Sequence, residues 1–356
     1  MTKINKTVVV GMSGGVDSSV AAYLLQQQGY KVQGLFMQNW QNEPGEVCSS
    51  EIDFNDASKI CDQLNIPLHK ANFSNEYWDK VFKEFLSEHQ KGRTPNPDIL
   101  CNREIKFKSF LNYALTIGAD FIATGHYAIT DNQSLYKGID NSKDQSYFLH
   151  AIDREVLQKT IFPLGELKKE NVRQIAKENS LITSNKKDST GICFIGERPF
   201  PEFVGNYLSG QEGKIINEND DVIGIHHGLV FYTLGQRQGL GIGGVQGLPD
   251  LPWYVAKKNL KTNELLCVQG NDHPLLFSRE LSTKNLFKLE DSLPISFEGT
   301  AKVRYRQEDQ KCEINVEDNT LNITFHKPQR SVTPGQSVVI YKNDKCLGGG
   351  EICTIN

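Results

Sequence analysis

The chain has 356 residues, 38% of them hydrophobic and 23% charged, with 39 Lys and Arg against 43 Asp and Glu for a net charge of −4. That length predicts two or three domains with cores of their own, and that charge excludes bulk nonspecific attraction to nucleic acid while leaving room for a local basic face. No apolar run approaches the length of a membrane span, no signal or transit peptide is expected ahead of the first strand, and the eight cysteines (48, 61, 101, 193, 267, 312, 346, 353) contain no Cys-x-x-Cys pair, which argues for a cytoplasmic protein with neither a disulfide scaffold nor a zinc knuckle.

Thr7 to Val10 has the length and β-branching of a buried strand. Ser18 to Gln28 reads as a helix with Val20, Ala21, Leu24 and Leu25 on its apolar side. Between them runs Gly11-Met12-Ser13-Gly14-Gly15-Val16-Asp17-Ser18. Strand, small-residue turn and helix N-terminus together make an anion site, because unpaired N–H groups and the helix dipole both point into the turn. Gly14 and Gly15 let the backbone approach a phosphate, and Ser13 and Ser18 add hydroxyl donors. Asp17 repels phosphate unless a bound Mg²⁺ reverses the sign. The plainer alternative is a helix start capped by Ser and Asp behind a tight turn. The string is neither a Walker A loop nor the dinucleotide fingerprint. It resembles the PP-loop of ATP pyrophosphatases, which cleave ATP between the α and β phosphates and adenylate a carbonyl oxygen.

Further along, Lys31 to Met37 reads as a strand. Met37, at its C-terminal end, is placed either to flank an adenine or to serve as core. Ile52 to Leu64 predicts a helix, Pro67 to Asn72 a strand, and Tyr77 to Gln90 an amphipathic helix. A helix is expected near Ile105 to Ile117, a strand over Phe121 to Thr124 ending in Gly125-His126-Tyr127, and a helix within Leu164 to Leu181. Strands alternating with helices predict a doubly wound parallel α/β sheet. After about Pro201 the texture turns Gly-rich. From Ser282 onward short alternating segments such as 301–306, 321–325 and 337–341 predict a small β-barrel. The expected division is 1–204 for the α/β domain, 205–278 for a central β-rich domain and 279–356 for the barrel.

Two more stretches carry candidate chemistry. In Arg93-Thr94-Pro95-Asn96-Pro97-Asp98-Ile99-Leu100-Cys101-Asn102, two prolines stiffen a loop that displays Asp98 and Cys101 at a helix entrance, where the dipole favours a thiolate. Equally, Asp98 is a helix cap and Cys101 a small buried hydrophobe. Cys193, in Lys186-Lys187-Asp188-Ser189-Thr190-Gly191-Ile192-Cys193-Phe194-Ile195-Gly196, sits downstream of two lysines, either as a low-pKa reactive thiol or as a strand cysteine without a role.

Taken together with Ala123-Thr124-Gly125-His126-Tyr127, Lys143-Asp144-Gln145-Ser146-Tyr147-Phe148 and Cys346-Leu347-Gly348-Gly349-Gly350, these motifs resemble the MnmA/TrmU family, the tRNA-specific 2-thiouridylases, over essentially the whole length. The resemblance implies ATP- and Mg²⁺-dependent replacement of the wobble uridine 2-oxygen by sulfur, in tRNAs for Lys, Glu and Gln. It implies that Gly11 to Ser18, Met37 and Gly125 touch ATP, with Asp17 on Mg²⁺ through the nucleotide. Asn96, Pro97 and Asp98 would line the target-base pocket, Asp98 doubling as base or hydrogen-bond acceptor. Cys193 would carry a persulfide and Cys101 act as nucleophile, the two passing through a transient disulfide. His126, Lys143, Asp144, Gln145, Arg304, Tyr305 and Gln336 would contact tRNA, although by themselves His126 reads equally as a satisfied loop histidine and Lys143 as a solvated loop charge. The implied partners are tRNA, a sulfur-relay protein or cysteine desulfurase as persulfide donor, and a cellular reductant, with no membrane. Independently, Lys302, Arg304, Arg306 and Lys311 around Tyr305 look like a cation-plus-aromatic RNA face or, equally, a solvated barrel face. Two other readings compete: a PP-loop ligase or amidotransferase adenylating a small-molecule carbonyl, and an RNA-binding translation accessory with a vestigial ATP loop.

Overall fold

A computed structural model describes residues 5–40, 49–188, 200–244, 247 and 250–356. Cys48 and Cys193 lie outside the described residues, and so does the expected Cys101–Cys193 pairing.

The chain opens as its pattern predicts. β1 (Thr7–Gly11) leads to helix α1 (Val16–Gln27), β2 (Lys31–Gln38), helix α2 (Ser49–Leu64) and β3 (Leu68–Asn72). The strands β4 (Phe121–Ala123), β5 (Ala128–Thr130), β6 (Leu135–Lys137) and β7 (Thr160–Ile161) follow. A parallel sheet forms in the order β3-β2-β1-β4-β7. The side-chain period of two splits β1 between two cores. Val9 faces one with Leu35, Ile122 and the helical runs 74–90 and 97–116, while Val8 and Val10 face the other with α1 and α2. The sheet is therefore covered on both sides, as buried parallel strands require.

Two helix expectations shift. The helix foreseen from Ile105 starts at Pro97, because Asn96, not Asp98, is its cap: Asn96 Oδ1 accepts from the Asp98 N–H at 3.1 Å, and proline suits the first helical position. This run widens into a π-helical stretch over Asn102–Ser109, a distortion common beside functional groups. The Leu164–Leu181 pattern becomes the shorter helix Lys169–Glu178.

The central region forms a sheet from β8 (Gly213–Ile216), β9 (Val222–His226), β10 (Trp253–Asn259) and β11 (Glu264–Gln269), in the order β10-β11-β8-β9. β12 (Phe277–Lys288), β13 (Ser296–Lys302), β14 (Gln310–Glu317), β15 (Thr320–Arg330), β16 (Ser337–Lys342) and β17 (Lys345–Ile355) make the barrel, closed because β12 pairs with both β15 and β17. The β5–β6 hairpin adds to this barrel through Lys345↔Tyr136 and Cys346↔Leu135.

The strand expected over 301–306 ends at Lys302. The Val303 N–H turns into the Gln307 side chain at 2.7 Å, and Arg306 adopts φ +64. Arg304 and Arg306 therefore stand on a turn, not on one strand face. Lys302 is drawn inward toward Asp144 and Asp309, at 3.7 and 3.6 Å.

The barrel is fastened to the α/β body by shared core and by charge. Val339, Tyr341 and Cys346 belong to the same apolar cluster as Val9 and Phe110. Glu88, 2% exposed, accepts from Lys91 and Arg93 at 2.8 and 2.9 Å, with Lys284 of β12 at 3.4 Å. Burial pushes its carboxyl pKa up, but the hydrogen bonds from Lys91 and Arg93 and the charge of Lys284 outweigh this and hold it down to about 2. Its neighbour Glu351 is pushed up by burial. Because the folded Glu88 pKa lies below the unfolded value, its contribution is present above about pH 4.3 and is lost as pH falls toward 2. We expect Glu88→Gln to destabilise the protein by about 2 kcal/mol in urea titrations, less than an orphaned buried ion pair costs, because Glu351 still accepts from Lys284 at 2.9 Å. The variant should also lose less stability than wild type between pH 4.3 and 2.

Candidate active site

β1 lies between β2 and β4, and the chain reverses direction across the sheet at this point. Crevices outside the carboxyl ends of such strands are where α/β sheets bind ligands. The loop after β1 carries Met12 and Ser13 to Ser18, and the loop after β4 carries Gly125 and His126.

Gly14 has φ +72, and a Cβ there would stand 2.4 Å from the Asp53 carbonyl oxygen of α2. Gly15 precedes α1 with no side-chain cap on the helix, so the capped-helix alternative fails and the first-turn N–H groups remain for a ligand. Ser13 Oγ lies 3.2 Å from Ser18 Oγ, which donates to the Gly15 carbonyl at 3.1 Å. Met12 and Val16 are core residues beneath the loop. A Cβ on Gly125 would lie 2.9 Å from Asp17 C and Ser18 N, while one on Gly11 would meet the Met37 Cε at 3.3 Å. Backbone therefore meets backbone around this loop, with Met37 half-buried beside it.

Asp17 is held by groups not anticipated from sequence. Tyr127 Oη donates to it at 2.8 Å, and Lys169 Nζ lies 2.7 and 2.8 Å from its two oxygens. Burial, then the charge of Asp17, pushes the Tyr127 phenol pKa up. Lys169 also reaches Asp188 at 2.7 Å, and Asp188 accepts from Lys143 at 2.7 Å and Arg173 at 2.8 Å. Burial raises the Asp188 pKa, but the hydrogen bonds from Lys143 and Lys169 dominate and bring it to about 2. Lys186 binds Asp53 and Asp56 of α2. One further residue went unnoticed: Asn39, 1% exposed just after β2, whose two side-chain polar atoms have no hydrogen-bond partner among the described residues. A polar side chain at the carboxyl end of a parallel strand is the signal that marks it.

The structure corrects the expected display of Cys101. It lies one turn inside the helical run and is 0% exposed, within the cluster shared with the barrel. Asp98 and Pro97 are half-buried at the start of that run. Asn96 lines a cavity of about 440 Å³ with Ile99, Leu100, Arg103 and Phe287, the last two stacked at 5.0 Å. The barrel fixes this segment: Gln336 Nε2 donates to the Thr94 carbonyl at 2.7 Å, and a Cβ on Gly335 would stand 2.9 Å from Thr94 N.

The expected RNA contacts fall into two groups. Lys143 to Gln145 and Arg304-Tyr305 come together across 160 residues of sequence, with Phe148 and Tyr305 rings 4.5 Å apart and Arg306 5.3 Å over Tyr305. Within that face Asp144 and Gln145 are structural. Asp144 is 5% exposed and accepts from the Gly138 and Ser146 N–H groups at 3.1 Å, and Gln145 Oε1 accepts from the Tyr127 N–H at 3.1 Å. His126 departs further from a surface contact. It is 8% exposed, its ring lies against Phe107 and Phe162, and Nδ1 is 2.8 Å from Thr124 Oγ1. Burial, then Lys106, pushes its pKa well below the usual range, so the ring is neutral. Gly14→Ala should weaken ATP binding at least tenfold in calorimetry while far-ultraviolet circular dichroism stays unchanged, because φ > 0 with a Cβ costs about 1–2 kcal/mol before the clash with α2.

Residues 6–197 match the tRNA methyl transferase HUP domain, 201–269 the tRNA methyl transferase PRC-barrel domain and 278–352 the Aminomethyltransferase beta-barrel domain. The tRNA-specific 2-thiouridylase MnmA of Francisella tularensis subsp. holarctica (strain FTNF002-00 / FTA) is 57% identical over 98% of this chain and 99% of its own. Its counterpart in subsp. novicida (strain U112) is 56% identical over the same shares. Among solved structures, a 4-thiouridine synthetase–RNA complex with bound ATP aligns at 21% identity over 55% of this chain and 46% of that one, with a TM-score of 0.39. By its identity over nearly full length and its three matching domains, the chain belongs to the MnmA family of tRNA-specific 2-thiouridylases.

Proposed function

We propose that the protein is a cytoplasmic tRNA-uridine 2-sulfurtransferase that activates the wobble uridine of tRNA with ATP and exchanges its 2-oxygen for sulfur. One observation carries this reading. Asp188, five residues before Cys193, bonds both Lys169, which holds Asp17 of the nucleotide loop, and Lys143 of the RNA-facing segment. The nucleotide loop and the segment read here as RNA-facing thus meet at one carboxylate, which precedes Cys193 by five residues in sequence.

The chemistry follows from what each group can do. A pyrimidine C2 carbonyl is a poor electrophile. Its oxygen attacks the α-phosphate of ATP, pyrophosphate leaves into the Ser13–Ser18 loop, and the O-adenylyl group becomes the later leaving group. The loop N–H groups and the α1 dipole stabilise charge on the departing phosphates. Asp17 fits a magnesium ion, since the position already holds a cation, the Lys169 ammonium, on both carboxylate oxygens. Asp17 would hold such an ion, which would offset the charge carried away with pyrophosphate.

Sulfur arrives as a persulfide on Cys193 from a sulfur-relay protein or desulfurase. Either Cys101 attacks the inner sulfur and frees hydrosulfide, which adds to C2, or the terminal persulfide sulfur adds to C2 and Cys101 then resolves the linkage. Both routes expel AMP, leave 2-thiouridine and end in a Cys101–Cys193 disulfide, which two electrons from a thiol reductant reopen. Asp98 takes up the thiol proton or a base N–H. Asn96 and Pro97 shape the pocket for a base drawn out of its stack. Lys143, Arg304 and Tyr305 dock the backbone, and Gln336 acts by holding Thr94. His126, being buried, supports the Gly125 turn from below.

With tRNA lacking the modification, ATP and a persulfide donor, mass spectrometry of digested nucleosides should find 2-thiouridine for wild type. Cys193→Ser should abolish sulfur loading, and Cys101→Ser should load sulfur but turn over at least about a hundredfold more slowly. Equal product from wild type and both variants with a protein donor would refute the two-thiol scheme, and no thiolated nucleoside from wild type would refute the activity.

A further inference from the structure

The loop after β4 meets Asp17 twice, once through backbone and once through a side chain. A Cβ on Gly125 would lie 2.9 Å from Asp17 C and 3.0 Å from Asp17 Cβ. Two residues on, the Tyr127 hydroxyl donates to Asp17 Oδ1 at 2.8 Å. A phenol has a single proton to give. Burial and then the charge of Asp17 push its pKa up, so the proton stays on the oxygen and is committed to the carboxylate.

Tyr127 is itself held from several sides. It is 2% exposed and belongs to the apolar cluster of Val20, Ala123 and Val172. One residue grips both of its backbone polar groups: Gln145 Oε1 accepts from the Tyr127 N–H at 3.1 Å, and the Gln145 N–H donates to the Tyr127 carbonyl at 2.9 Å. That carbonyl would also stand 2.9 Å from a Cβ on Gly138, where the chain leaves β6. Lys169, the other group on Asp17, supplies charge but little direction, because an ammonium on a four-carbon stem has three rotatable protons. A hydroxyl on a packed ring has a fixed place, and so it is the phenol that sets the plane of the Asp17 carboxylate.

We propose that Tyr127 and Gln145 are positioning residues of the nucleotide site: Gln145 fixes the Tyr127 backbone, and the Tyr127 hydroxyl turns the Asp17 carboxylate to the orientation in which it receives the magnesium ion that travels with ATP. This rests on the reading that the loop binds ATP and that Asp17 holds the ion. Both residues act through Asp17 rather than on the reacting atoms. Partners that orient a metal ligand in this way are worth about ten- to hundredfold in metal affinity. Gln145 thereby has a task inside the protein that is separable, by measurement, from any contact with tRNA.

The test reads binding and needs no turnover. α,β-Methylene ATP is titrated calorimetrically, with and without excess magnesium, into wild type, Tyr127→Phe, Gln145→Met, Asp17→Asn and the two double variants. Affinity for tRNA is measured alongside by filter retention. The quantity compared is the factor by which magnesium tightens the analogue. Tyr127→Phe, which keeps the ring and loses the donor, should cut that factor about tenfold, and Gln145→Met, which removes one acceptor from a backbone N–H, about threefold. On the Asp17→Asn background neither substitution should change it, because a residue acting only through Asp17 has nothing left to act on. A factor within about twofold of wild type in Tyr127→Phe, or losses that persist undiminished without Asp17, overturns the proposal. Gln145→Met that weakens tRNA binding and leaves the magnesium factor at its wild-type value overturns the part given to Gln145. Should Gln145→Met melt early, Tyr127→Phe still decides, because its ring continues to fill the core. Wild type that does not bind the analogue overturns the ATP reading and this proposal together, whereas wild type that binds it with no gain from magnesium overturns this proposal and leaves the ATP loop standing.

Discussion

The site depends on a place where two backbones touch with no room for a methyl group. The loop after β4 presses Gly125 against the peptide joining Asp17 to Ser18, and the loop after β1 presses Gly14 against Asp53 of α2. Parallel strands buried on both faces fix the directions from which these loops leave the sheet. The glycines then let them close on each other. The result is a helix N-terminus held open and pointed into a crevice, with its donors aimed before any ligand arrives. That preorganisation is what makes fixed dipoles effective against charge that develops during a reaction.

Around that contact the polar groups form one connected system. Asp17, Lys169, Asp188, Lys143 and Arg173 span the nucleotide loop, the helix Lys169–Glu178 and the turn that carries Lys143. Half-buried charges of this kind are costly to separate and strongly felt by one another. Cys101 represents the opposite environment. It has no exposed surface and packs among Val9, Phe110 and the barrel residue Tyr341. A thiol so enclosed is protected from stray oxidants. A π-helical stretch, Asn102–Ser109, follows it directly.

Local features were readable in the sequence because their causes are local. A β-branched run, a glycine at positive φ and an amphipathic helix within twenty residues specify the loop after β1 without help from elsewhere. Asn96-Pro97 marks a helix start in the same way, although the capping residue is Asn96 rather than Asp98. What sequence could not supply were partners set by tertiary packing. Lys169 meets Asp17 across 152 residues, and nothing at either position announces the other. The alternation of Lys302, Arg304 and Arg306 was misleading for a related reason. A period of two persists through a strand end, and only the bond from Val303 to the Gln307 side chain shows where the strand stops. His126 reads from sequence equally as an RNA contact or as a satisfied loop histidine, because the rings of Phe107 and Phe162 that close over it are set by tertiary packing.

The β5–β6 hairpin carries a consequence for how the chain is made. It emerges early, yet the strand that covers its edge, β17, comes about two hundred residues later. At ribosomal speed that is a delay of roughly 10 to 40 s. Throughout that time the nascent protein carries an uncovered strand edge and an apolar patch awaiting Val339, Tyr341 and Cys346. The α/β body thus completes its core only with residues 339–346, and a chain interrupted before Val339 would present both the open hairpin edge and that apolar patch to its neighbours, the setting in which nascent chains aggregate.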